Sequence, residues 1–151
     1  MAVVRTEGDP NVAAGEALHA LYSAVYTLKF ALKKQGADFK VGALRARWPN
    51  AHLAPKDQWI GIWGLPIPEG TTSLPGKDPG VRVNIETWEC GKVAQILHIG
   101  PFSEEGPTVQ RLHQFIADSG YEIAGAHEEE YLTRPTAKVQ KTIIRYPIRK
   151  K

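Results

Sequence analysis

Gly36-Ala37-Asp38-Phe39-Lys40-Val41-Gly42-Ala43 and Gly120-Tyr121-Glu122-Ile123-Ala124-Gly125-Ala126 are two versions of one passage: a glycine turn, a short alternating run and a second glycine. Each follows a stretch of helical periodicity. Each of those stretches is preceded by another echo, Gly8-Asp9-Pro10 in one case and Gly100-Pro101 in the other. The offset is about 84 residues after the helices and about 92 before them, so the first helix is longer by about two turns. Order and junctions agree, and the chain reads as a duplication with pseudo-repeats about 1–68 and 90–149.

Working outward, Leu18, Leu21, Val25, Leu28 and Leu32 form the apolar stripe of a long first helix. Asp9 or Asn11 is its cap, and Lys33, Lys34 and Gly36 stop it. Ser103 is expected to cap the second helix, with Glu104 and Glu105 in its first turn and Val109, Leu112, Phe115 and Ile116 facing the core. Strands are expected at 2–6, 39–48, 58–67, 121–132 and 142–148, with a loop over 68–80 punctuated by Pro68, Gly70, Pro75, Gly76, Pro79 and Gly80. Residues 81–88 and 93–99 alternate with period two about Glu89-Cys90-Gly91-Lys92 and read as a hairpin. The fold class is α+β: duplicated strand-helix-strand-strand units around a pseudo-twofold axis, an antiparallel sheet with two helices, and a central ligand cleft at the seam.

The 151 residues are 42% hydrophobic and 23% charged, enough for one folded domain over 1–151 and unlike a disordered chain. No run approaches the roughly 20 apolar residues of a membrane span. The first ten residues lack the apolar segment of a secretory signal, so a cytoplasmic protein is expected. A single cysteine, Cys90, excludes a disulfide framework and a Cys-rich zinc site. The net charge of +3 sits at one end: residues 138–151 hold six basic and no acidic side chains, and the remainder is net −3. Nucleic-acid tracking needs basic groups spread along a face, so neither nucleic acid nor membrane is an expected partner.

Four tryptophans, Trp48, Trp59, Trp63 and Trp88, lie on expected strands or at their ends. Trp59 and Trp63 share a face with Gly61 between them, which suggests a hollow that admits a flat ring. The alternative is that the indoles fill the core. Tyr22 and Tyr26, one helical turn apart, either line a cleft or lie at the surface. In His127-Glu128-Glu129-Glu130-Tyr131-Leu132, alternation puts His127, Glu129 and Tyr131 on one face. Three adjacent acids are commonly a solvated edge. Beside aromatic walls, however, a carboxylate attracts a cation, or serves as a base once burial raises its pKa. His98 is a structural histidine or a site residue. His19, His52, His113 and His127 show no metal-ligand spacing, no phosphate loop is present, and neither metal nor cofactor is expected.

The stretches Gln95–Thr108, Leu112–Ile116, Gly120-Tyr121, Glu129–Leu132 and Thr142–Pro147 together resemble the GyrI-like small-molecule-binding domain, also the effector-binding module of AraC-type and multidrug-responsive regulators. Leu21–Phe30 is similar to its stand-alone members. The resemblance implies a ligand cleft with Glu129 as its acid and Tyr131 beside it, the glutamate holding lipophilic cations between aromatic rings. Trp48, Trp59, Trp63, Trp88, Tyr22, Tyr26, His98 and Phe102 are then the expected ligand-binding residues. Stand-alone relatives carry Trp-x-Trp where this chain has Trp59-Ile60-Gly61-Ile62-Trp63, which reshapes the cage. The expected function is a stand-alone binding protein, monomeric or weakly dimeric, for planar hydrophobic or cationic xenobiotics. The alternative is a cyclopropanoid hydrolase that opens the strained ring of DNA-alkylating natural products by water addition, with Glu129 and Tyr131 as the catalytic residues: Glu129 on the water and Tyr131, or else Tyr22 or Tyr26, on the oxygen. A third reading is a module that binds a protein partner.

Overall fold

The computed structural model describes residues 1–75 and 80–151, so the 76–79 part of the expected loop lies outside the described residues. The chain divides into two compact units, Met1–Trp88 and Glu89–Lys151. The first contains β1 (Ala2–Glu7), α1 (Pro10–Lys34), β2 (Arg45–Trp48), β3 (Ile60–Leu65) and β4 (Asn84–Ile85). The second contains β5 (Val93–Ile99), α2 (Gly106–Asp118), β6 (Tyr121–Ile123), β7 (His127–Tyr131) and β8 (Lys141–Lys150). Among the described residues, eight strands with antiparallel pairings and two α-helices make the fold α+β.

Within each unit the last strand of the strand-helix-strand-strand run lies in the middle. The order is β4-β1-β3-β2 in the first and β7-β8-β5 in the second, where β6 also pairs with β8. The echoed glycines explain the echo. Gly8 and Gly100 before the helices have φ of 112° and 130°, and Gly36 and Gly120 after them 78° and 80°. These are left-handed values that side chains resist. A Cβ on Gly42 would meet Pro66 Cγ at 3.4 Å, and one on Gly125 would meet Pro147 Cγ at 2.8 Å. One glycine–proline contact thus recurs in both units.

Asp9 caps α1, its Oδ1 accepting from Asn11 N at 2.9 Å. At 25 residues α1 is about 37 Å long, whereas the six-residue strands β1 and β3 on which it packs reach only about 20 Å. Only Leu21 and Val25 of the leucine stripe are therefore fully buried, joined by Ala14, Ala17, Ala20 and Ala24. In the second unit Leu112 and Ile116 pack with Ala94, Ile144 and Tyr146.

Several expectations are corrected. Residues 81–88 and 93–99 do not form a hairpin: β4 pairs with β1, and β5 pairs with β8 over seven residues. Ser103 does not cap α2. Phe102–Glu104 is a 3-10 turn, and the α-helix starts with Pro107 in its first turn, where a missing N–H costs nothing. Phe115 is 61% exposed, because it stands about 100° around the helix from Ile116. The 39–48 strand is only four residues long, and 121–132 is two strands separated around Gly125. No helix among the described residues is long and apolar enough to cross a membrane.

Candidate functional site

Strand alternation gives β7 two chemically different faces. On one, Glu128 and Glu130 meet Arg145 of β8, with N···O distances of 2.9 and 2.6 Å, and Gln95 Oε1 accepts from Arg145 Nε at 3.2 Å. This face is an internal ion-pair cluster. The other carries His127, Glu129 and Tyr131, with Glu129 opposite Ile144 in the β7–β8 register.

Glu129 is 5% exposed, and both of its oxygens have donors. His127 Nε2 donates to Oε1 at 2.9 Å, and the Tyr131 hydroxyl donates to Oε2 at 2.8 Å. His127 Nδ1 lies 2.6 Å from the Tyr146 hydroxyl. Nε2 therefore carries a hydrogen, and Nδ1 accepts from Tyr146 when the imidazole is neutral and donates to it when the ring is charged. Burial, with Glu105 and Glu129 nearby, pushes the Tyr146 phenol up to about 12 and keeps that hydroxyl protonated. Aromatic edges enclose the group: Tyr146 meets His127 and His113 at ring-centroid distances of 5.1 and 5.0 Å, and Phe102 meets Tyr131 at 5.6 Å.

Glu105 completes the site. It precedes α2 as the N-cap residue, yet its side chain makes no cap hydrogen bond. One ligand atom each from Glu105, His127 and Glu129 lie within 4.8 Å of one another. Among the described residues these side chains could hold a metal ion, although His127 and Glu129 are hydrogen-bonded to each other. Burial first, then the Glu129 charge and a hydrogen bond to it, pushes Glu105 up to about 8. Burial also pushes Glu129 up. The hydrogen bond and charge of His127, with hydrogen bonds from Glu105 and Tyr131, more than offset this and hold Glu129 below the ordinary range. Sequence reasoning expected Glu129 to be the carboxyl with the raised pKa. The geometry gives that property to Glu105.

A proton bound by folded Glu105 and lost from the unfolded chain makes stability fall as pH rises from about 4.5 towards 8. Glu129 acts oppositely, its stabilisation being lost only as pH falls through its lowered folded pKa. Glu105→Gln mimics the protonated acid. Its melting temperature is expected to gain on the parent's between pH 5 and 8; parallel curves would show that Glu105 titrates normally.

The other expected site residues fall into separate groups. Trp48 and Trp63 are buried in the first unit, their rings 5.0 Å apart and edge to face, with Trp59 5.8 Å from Trp48. Trp63 Nε1 donates to Thr6 Oγ1 at 3.0 Å, and Trp59 Nε1 donates to the Ala54 carbonyl. The expected hollow at Gly61 is filled. A Cβ there would stand 2.6 Å from Thr6 Oγ1, 2.7 Å from Trp63 Nε1 and 3.2 Å from Trp48 Cζ3. Gly61→Ala is therefore expected to cost about 2 kcal/mol through overpacking, read as a lower denaturation midpoint; an unchanged midpoint would show that the indoles can yield. Trp88 packs on Gly64 beneath the Arg47 guanidinium, 4.2 Å from the ring centroid. Tyr22 stacks on the half-exposed Tyr26, which meets Phe30 one turn further on. His98 belongs to the frame: it is buried, its Nε2 donates to the Pro101 carbonyl at 3.0 Å, and its Nδ1 accepts from Thr108 Oγ1 at 2.8 Å. Both ring nitrogens are used, leaving none for a ligand.

The family described as the GyrI-like small molecule binding domain matches residues 1–149. Among solved structures, a hydrolase from Listeria innocua is 28% identical with a TM-score of 0.81, the match covering 98% of this chain and 86% of that one. An uncharacterized conserved protein from the same organism is 28% identical with a TM-score of 0.83 over the same shares. The EcmrR C-terminal domain, 13% identical with a TM-score of 0.57 over 99% of this chain and 90% of that one, shares the fold. No curated protein sequence matches.

Proposed function

The chain belongs to the GyrI-like small molecule binding domain family, and from that membership we propose that it is a binding protein for planar, hydrophobic, cationic small molecules, with Glu129 as the counter-charge. The observation that carries this reading is a buried carboxylate kept ionised by His127 and Tyr131 among aromatic edges. A desolvated anion there attracts a cation far more strongly than one in water. Aromatic faces such as Tyr131 and Phe102 add about 0.5–2 kcal/mol per cation–π contact.

A second reading, hydrolysis of cyclopropanoid alkylators by water addition, is supported by the relative named a hydrolase and by the juxtaposition of Glu129 and Tyr131. Glu129 would hold the attacking water, and the tyrosine hydroxyl would stabilise charge growing on the conjugated carbonyl. A carboxylate held below its ordinary pKa is a weak base, so binding is the stronger reading.

Fluorescence titration with a planar aromatic cation and its neutral isostere, followed by mass spectrometry of the recovered ligand in 18O-water, separates the two. Cation-selective binding with the ligand recovered unchanged supports the first. Incorporation of 18O into a cyclopropanoid ligand supports the second. Equal affinity for cation and neutral isostere contradicts the assignment of Glu129.

A further inference from the structure

β5 is the terminal strand of the second unit's order β7-β8-β5. One of its edges pairs with β8 over seven residues, and the other has no strand partner among the described residues. Alternate residues of β5 therefore turn their N–H and C=O groups away from the sheet, a template for one more strand. Proteins blunt such edges by shortness, a charge, a proline or a bulge. β4, the terminal strand of the first unit, is only two residues long. Val93-Ala94-Gln95-Ile96-Leu97-His98-Ile99 has none of these devices: it holds no charged residue, proline or glycine, and it matches β8 residue for residue. Ala94 and Ile96 face the α2 side of the sheet, where Leu112 and Ile116 pack. On the opposite side Leu97 and Ile99 are 45% and 59% exposed. The two ends of the strand carry opposite charges. Lys92 precedes it, its Nζ donating to the Tyr121 hydroxyl at 2.7 Å. Beyond the other end, Glu104 Oε2 lies 3.6 Å from where a Cβ on Gly100 would stand. Positions 92 and 100 are an even number apart, so alternation puts both charges on the α2 side. Neither Lys92 nor Glu104 forms an ion pair among the described residues.

We propose that β5 is a dimerisation edge, pairing antiparallel with β5 of a second copy of this chain about a twofold axis at Ile96. The inference is independent of what the Glu129 site binds. About that axis Ile96 faces its own counterpart, Gln95 faces the partner's Leu97, and Val93 faces the partner's Ile99. The exposed Leu97 and Ile99 gain cross-strand neighbours, and the outward backbone groups gain hydrogen bonds. The same register sets Lys92 opposite the partner's Gly100, with the partner's Glu104 carboxylate beside it. Symmetry makes that charge pair twice. Any extended strand would satisfy the backbone of β5, but a second copy also brings Glu104 to Lys92 and Lys92 to Glu104. An edge contact of this kind closes at two copies.

The test is sedimentation equilibrium of the whole chain from micromolar to millimolar concentration. The parent is expected to reach twice the monomer mass. Leu97→Lys sets a charge at an exposed position diagonal to its own counterpart across the axis, and is expected to weaken the dimer by about tenfold or more. Its melting temperature at micromolar concentration, where the parent is a monomer too, is expected to match the parent's. Lys92→Glu and Glu104→Lys each set like charges against one another and are expected to weaken the dimer by about tenfold. Both positions are exposed, and the two substitutions combined in one chain are expected to restore it. A parent that stays monomeric at millimolar concentration, or a dimer indifferent to Leu97→Lys, overturns the inference. So do single reversals that the combined variant fails to rescue, and masses that climb beyond two copies.

Discussion

Glu129→Gln is expected to weaken the binding of a planar aromatic cation by about 30-fold or more, with little change for a neutral ring of the same shape. Removing one partner of a buried, hydrogen-bonded charge pair costs about 2–5 kcal/mol, and about 1.4 kcal/mol is a factor of ten. Glu129 meets the condition for that range, being 5% exposed with donors on both oxygens. The substitution keeps the shape of the side chain and removes its charge. Parallel titrations of cation and neutral analogue give the result directly. Equal losses for both would mean that the site reads ring shape alone.

The largest effect on stability is expected on the opposite face of β7. The Arg145 guanidinium is shared by Glu128 and Glu130, and both Arg145 and Glu128 are buried. Arg145→Met keeps the volume of the stem and removes the charge that both carboxylates share. Breaking a buried pair from one side costs about 3–5 kcal/mol, a fall in melting temperature on the order of 10 °C. Adding Glu128→Gln and Glu130→Gln is expected to recover part of that loss, because the interaction is pairwise and neighbouring substitutions are not additive. A single-variant loss below about 1 kcal/mol would place the cluster with exposed ion pairs.

The duplication was legible because it is written in residues with backbone reasons. Gly8, Gly36, Gly100 and Gly120 adopt φ values that other residues resist, so they recur where the chain must turn. The face of β7 that carries the candidate site was legible too. Period-two alternation placed His127, Glu129 and Tyr131 together, and the hydrogen bonds join them. Alternation states which way a side chain points and is silent about its strand's partner. Residues 81–88 and 93–99 therefore read as a hairpin, whereas Asn84–Ile85 pairs with β1 and Val93–Ile99 with β8. It is equally silent about what fills the space above a glycine, so Gly61 looked hollow although Trp63, Thr6 and Trp48 occupy its place.

Glu105 was the larger omission. As a first-turn acid it had an adequate explanation in the helix dipole. Beyond burial, its raised pKa depends on its nearness to Glu129, 24 positions away, which no local pattern contains. Pro107, which moves the start of α2 beyond Ser103, was the available clue that Glu105 sits at the helix edge rather than inside its first turn.

The account stands on two neighbouring carboxyls in opposite states, one charged and one protonated. NMR titration of the glutamate side-chain carboxyl carbons, assigned with Glu105→Gln and Glu129→Gln, reads those states directly. The account predicts a Glu105 resonance that titrates near pH 8 and a Glu129 resonance still ionised below the ordinary carboxylate range. Both resonances titrating together between about pH 4 and 5, as free glutamates do, would contradict it.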